Sequence, residues 1–245
     1  MSIWGKIVGG AAGFAIGGPI GALIGGMAGH AVDRARSGKH NAGSTPGDIR
    51  QVAFTIGVIA LGAKMAKADG HVTEDEILAF REIFHVPPTE VKNVAKVFNL
   101  ARRDARGFEP YARQIGTLFS NNPSVLEELL DGLFHIARAD NVYDPREDAY
   151  LREVARLFGF SESEFARIRE SHVGPDESDP YTILGVTRDY SDEEIKLRHR
   201  ELVREHHPDK LISEGVPQEF IEVANSKLGS INDAWDRVQT ERAIK

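Results

Sequence analysis

Three groups of residues have the types and spacing to do chemistry. His206-His207-Pro208-Asp209 sets two imidazoles beside a carboxylate, a combination that could hold a metal or move a proton. No second ligand cluster accompanies it and no nucleophile with a base partner presents itself, so neither a catalytic residue nor a metal site is assigned. Asp69, Glu76, Asp140 and Glu147 form a second group, the clustered oxygens that a hard cation such as calcium selects. A simpler account competes. Thr73 with Glu76, and Asp144 with Glu147, have the spacing of helix capping boxes, and Asp69-Gly70 and Asp140-Asn141 would end the preceding helices. Capping is the preferred account, and the metal reading stays open without a site. The third group is Lys196, Arg200 and Arg204, which at i, i+4 and i+8 form one basic stripe on a helix. Glu201 and Glu205 lie about 100° around that helix. Such a stripe can steer toward an acidic partner and fix its orientation. The alternative is a solvated face with internal pairs.

Composition limits what else the chain can be. Among 245 residues there is no cysteine, which excludes disulfides, thiolate zinc sites, iron–sulfur clusters and a cysteine nucleophile. The net charge of −7 is uneven: residues 1–46 carry +3, residues 47–179 carry −7 and residues 180–245 carry −3. Neither acidic part has the basic footprint of a nucleic-acid binder.

The first part is apolar and rich in glycine. Ile7 to Val32 is a run of 26 residues without a charge. Roughly 20 helical residues cross a bilayer core, so the run is long enough to span. Lys6 precedes it, and Arg34, Arg36 and Lys39 follow, so the bulk of the chain is expected on the cytoplasmic side. The run is too long for the core of a cleavable signal peptide, and no clear cleavage site follows it. Gly9, Gly13, Gly17, Gly21, Gly25 and Gly29 recur every fourth residue, a side-chain-free ridge that another helix backbone can approach closely. A homodimer through this helix is expected. Glycine's poor helix propensity and Pro19 leave a flexible tail or an interfacial hairpin as alternatives.

Residues 33–48 are expected to be a linker, with Gly, Ser, Asn and Pro between Ser37 and Asp48. From residue 49 to 170 apolar residues recur at three and four, as in Ile49, Val52, Ala53 and Ile56, or Leu126, Leu129, Leu130 and Leu133, which predicts an all-α bundle. Ala66-Lys67-Ala68-Asp69 and Ala137-Arg138-Ala139-Asp140 begin an internal repeat with an offset of 71 residues. This doubled Ala-Asp…Glu pattern resembles the TerB-like helical domain. Residues 171–178, polar and acidic, are expected to be a second linker.

The remainder, residues 179–245, opens with Asp179-Pro180-Tyr181-Thr182-Ile183-Leu184-Gly185, followed by a capping box at Ser191 and Glu194 and a helix to about His206. A loop and a third helix from about Pro217 are expected next. The core should be Ile183, Leu184, Ile195, Leu202, Val203, Val223, Leu228, Ile231 and Trp235. His207-Pro208-Asp209-Lys210 between two helices resembles the J-domain of DnaJ-type co-chaperones. A tyrosine usual in that family's second helix is His199 here, and one usual in its third is Trp235. No cysteine-rich or Gly/Phe-rich segment follows.

The whole order, apolar anchor (1–32), TerB-like bundle and terminal J-domain, resembles the DjlA family of membrane-anchored DnaJ-like proteins. That resemblance implies a single-pass protein of the bacterial inner membrane, with its N-terminus periplasmic and its other domains cytoplasmic. It also implies a DnaK-type chaperone ATPase as partner, met by His207, Pro208 and Asp209 and by the stripe of Lys196, Arg200 and Arg204. No cofactor, nucleic acid or enzymatic activity of the chain itself is expected. A membrane scaffold or stress-signalling protein working through its TerB-like domain is the competing reading.

Overall fold

Val52 to Met65 is apolar on nearly every face, and a helix of that kind is stable only when surrounded. The computed structural model of the chain describes residues 18–21, 46–69, 86, 88, 91–103, 107–139, 143–172 and 178–244, and every regular element among them is helical. Helix α1 (Pro46–Asp69) is the central rod. Around it stand α2 (Val91–Arg103), α3 (Glu109–Leu118), α4 (Pro123–Ala137) and α5 (Pro145–Phe158). Helix α6 (Glu162–Glu170) packs on α4 and α5. Phe54, Ile56, Ile59, Tyr111, Ile115, Leu129, Leu133 and Phe134 are fully buried in the shared core.

Helix starts follow the capping signals. Asp144 and Glu147 form the expected reciprocal box, with Asp144 N–H donating to Glu147 Oε2 at 3.0 Å. Ser161 with Glu164 and Ser191 with Glu194 form two more. Among the described residues no group of three or more His, Asp or Glu is placed to hold a metal ion. Thr73, Glu76, Asp140 and the side chain of Asp69 lie outside the described residues.

So do Gly9, Gly13, Gly17, Gly25 and Gly29. Gly21 belongs to a helical turn over 18–21, in which Ile20 is buried in the main core and donates its N–H to Gln114 Oε1 at 2.9 Å. Among the described residues no helix is long and apolar enough to cross a membrane.

The C-terminal module consists of α7 (Pro180–Leu184), α8 (Asp192–Glu205), α9 (Pro208–Glu214), a 3₁₀ turn (Gln218–Phe220) and α10 (Ile221–Arg242). Its own core holds Ile183, Leu184, Ile195, Leu202, Ile231 and Trp235 as expected, with Val203 packed at its edge. Val223 packs instead against the core of the middle bundle, and Leu228 is only half-buried. His199 and Trp235 stack with ring centroids 5.0 Å apart and planes 8° from parallel, so each of these two unusual residues is the other's packing partner. His199 also shares a hydrogen bond with Asn232 at 3.1 Å. Arg242 closes the module by donating to Tyr181 Oη, to Asp192 Oδ1 and to the carbonyls of Arg188 and Tyr190.

One expectation is corrected. The segment from Pro208 to Glu214 is a seven-residue helix rather than a loop. Pro208 stands at its first position, where the missing N–H costs nothing, and Gly215 ends it at φ 119°.

Candidate functional site

The His-Pro-Asp sequence forms the junction between α8 and α9. Helix α8 ends when His206 leaves helical geometry after donating its N–H to Leu202 O at 2.9 Å. Pro208 disfavours a helical conformation at the preceding residue, and His207 is extended at φ −66° and ψ 129°. His207 is thereby the N-cap of α9. Its Nδ1 accepts the Asp209 N–H at 3.2 Å, which places the proton of a neutral ring on Nε2 by inference from this bond. The His207 side chain is 52% exposed and that of Asp209 90% exposed. The turn therefore offers a hydrogen-bond donor and a carboxylate to an outside partner.

Lys196, Arg200 and Arg204 run along α8 toward this turn, Arg200 and Arg204 exposed and Lys196 half-buried. Among the described residues none of the three makes an ion pair. Glu201 and Glu205 instead pair with Arg198, at 3.3 and 3.7 Å. The stripe thus keeps its charge for a partner, although such exposed charges contribute little to the fold itself.

Sequence reasoning missed what lies directly behind the turn. His206 is 1% exposed, and its Nδ1 shares a hydrogen bond with Glu128 Oε1 of α4 at 2.9 Å. Around it is a buried charge cluster that joins the two modules. Arg167 of α6 donates to Glu127 Oε2 at 2.5 Å. Lys227 of α10 donates to Asp131 Oδ2 at 2.5 Å and also pairs with Glu127. His172, stacked on Phe134, lies with Nε2 2.7 Å from Asp131 Oδ1.

Burial opposes ionisation of Glu127, but Arg167, Lys227 and His206 outweigh it and hold that carboxyl well below its ordinary range. Asp131 is lowered in the same way, with Lys227 and His172 overcoming burial. Burial wins at Glu128, whose carboxyl is raised. Lys227, which burial alone would lower, is held high by Asp131 and Glu127. The Glu127 and Asp131 carboxylates thus balance two fixed cations, Arg167 and Lys227. The visible signal was Leu126-Glu127-Glu128-Leu129-Leu130-Asp131, acids set in an apolar helical run. Nothing in that run names the partners, which come from 40 to 96 residues further along.

The second tie between modules is apolar. Leu211, Val216, Phe220 and Ala224 belong to the core of the middle bundle rather than to that of their own module. Phe220 meets the Phe54 ring edge-on at 4.9 Å. It also lies over Gly132, where a Cβ would come within 2.4 Å of its Cζ.

A helix pair joined by an exposed His-Pro-Asp turn, with a third helix packed across it, defines a J-domain, and the chain is a DnaJ-like co-chaperone. The DnaJ domain family matches residues 179–238, Tellurite resistance protein TerB matches residues 55–170, and the Co-chaperone DjlA transmembrane domain matches residues 1–39. Co-chaperone protein DjlA of Photobacterium profundum is 30% identical, over 99% of this chain and 100% of its own length. Those of Shewanella oneidensis and Escherichia coli are 30% and 27% identical over the whole of both chains. This chain belongs to the DjlA family. No solved structure matches it significantly.

Proposed function

We propose that this protein is a membrane-anchored co-chaperone that stimulates ATP hydrolysis by a DnaK-type chaperone through His207, Pro208 and Asp209. The observation that supports it is the exposed turn standing beside an unpaired basic stripe, all on one module. The stripe steers and orients the chaperone. The turn then presents the His207 ring and the Asp209 carboxylate to it. The ATP site belongs to the partner.

Single-turnover ATPase measurements with the full chain test this. His207→Gln is expected to abolish stimulation even at saturating concentration while the protein stays folded. Charge reversal at Arg200 or Arg204 is expected to weaken association, most at low salt, and to be rescued by concentration, because screening limits exposed charges to a reach of about 8 Å at physiological ionic strength. Full stimulation by folded His207→Gln overturns the mechanism. No stimulation by the wild type favours a scaffold acting through the TerB-like domain.

The anchor is residues 1–32, and the DjlA transmembrane match over residues 1–39 supports it. Insertion requires the turn at 18–21 to leave Gln114, its backbone groups then being paired within the spanning helix. Carbonate extraction should leave the protein in the membrane fraction. Gly17→Leu with Gly21→Leu should weaken crosslinking between copies without affecting insertion. Release by carbonate removes the anchor, and unchanged crosslinking removes the glycine ridge.

A further inference from the structure

We infer that the middle bundle is a positioning element for the His-Pro-Asp turn, acting through Glu128 on His206 and through the apolar seat of Leu211, Val216 and Phe220. This rests on the co-chaperone reading above. Residues 207 to 210 are suspended between two anchors. On one side, His206 is bound to Glu128 at 2.9 Å. On the other, Leu211 is completely buried in the core of the bundle. Neither anchor is made by the J-domain's own core. Past the second anchor, Val216 and Phe220 fasten the segment to the same bundle, Phe220 fitting over Gly132 because that residue has no side chain.

Docking leaves the partner-facing groups uncovered. His207, Asp209, Arg200 and Arg204 are exposed with the two modules together. The contact therefore holds the turn rather than blocks it. A turn tied at both ends has few conformations to lose on meeting a partner, which favours binding by preorganisation. Untying one end lowers the fraction of molecules in the competent conformation, and apparent affinity falls by that same fraction.

The experiment changes the middle bundle only. Stimulation of a DnaK-type ATPase is followed against concentration of the full chain, wild type and Glu128→Ala, with folding checked by circular dichroism. Glu128→Ala removes the partner of a buried imidazole and is expected to raise the half-saturating concentration by about tenfold, with the maximal rate kept at saturation. Glu128→Gln, which keeps a hydrogen-bonding side chain of the same shape, is expected to recover most of the loss. His207→Gln in parallel loses the maximal rate instead. Hydrogen exchange at the amides of residues 209 to 214 supplies a readout that needs no chaperone. It should quicken in Glu128→Ala while that of residues 195 to 202 is unchanged. If Glu128→Ala does not fold, Gly132→Ala, which displaces Phe220, takes its place with the same expectation. Wild-type half-saturation and wild-type exchange in a folded variant overturn the inference. A wild type that fails to stimulate but shows faster exchange in the variant overturns the co-chaperone reading and leaves the anchoring itself standing.

Discussion

His206 and His207 are neighbours in the chain with opposite surroundings: the first is 1% exposed against Glu128, the second 52% exposed at the head of α9. The cluster behind His206 gives stability a defined dependence on pH. Glu127 and Asp131 have carboxyls lowered on folding, so the stability they contribute is present above the unfolded carboxylate range and is lost as pH falls through their folded values. Glu128 is raised, so its contribution has the opposite sign, present in acid and lost as pH rises through its folded value. Below the unfolded carboxylate range the Glu128 contribution is already complete, so only the two lowered groups change stability there. The urea midpoint is therefore expected to fall as pH drops below about 4. Asp131→Asn, which cannot titrate, should flatten that fall. An unchanged slope in the variant would remove Asp131 from the account.

At the level of elements, Gly132 sets the spacing of the two modules. Alanine is a better helix former than glycine by up to about 1 kcal/mol, so Gly132→Ala should stabilise α4 taken alone. Its Cβ would stand 2.4 Å from Phe220 Cζ, and forcing an extra carbon into a packed core costs typically about 1–3 kcal/mol. The second effect is larger, so a net loss of stability is expected in urea denaturation, and Phe220→Leu in the same chain should relieve part of it. Other elements were readable from sequence for local reasons. Asp144 and Ser191 announce α5 and α8 because a cap is a short-range hydrogen bond between residues three apart. Helix α9 was not readable, because seven residues are too few to sustain a helix unaided and what holds this one is Leu211 in the core of another module. The partners of Glu127 and Asp131 were hidden for the same reason. Acids at 127, 128 and 131 are evident in the chain, but the distance from Asp131 to Lys227 is a property of the fold.

For the molecule as a whole, Leu211, Val216 and Phe220 seat part of the J-domain in the core of the bundle, beside the separate core that the J-domain keeps for itself. Burying such side chains is worth roughly 1.5–3 kcal/mol apiece, which is a large part of a domain's net stability. One cooperative unfolding transition is expected for the chain in denaturant, and a version ending after His172 should unfold at lower urea than the intact protein. Two separate transitions, or an unmoved midpoint after truncation, would show that the modules are independent. The seat of these residues in the bundle also bears on domain exchange. A J-domain grafted from an unrelated protein would bring its own His-Pro-Asp turn but would lack the Leu211–Phe220 plug. The recipient bundle would be left with an open hydrophobic socket and the acids Glu127 and Asp131 without Lys227, so a functional chimera needs its splice point before Asp179 and the native segment from His206 to Lys227 carried over intact.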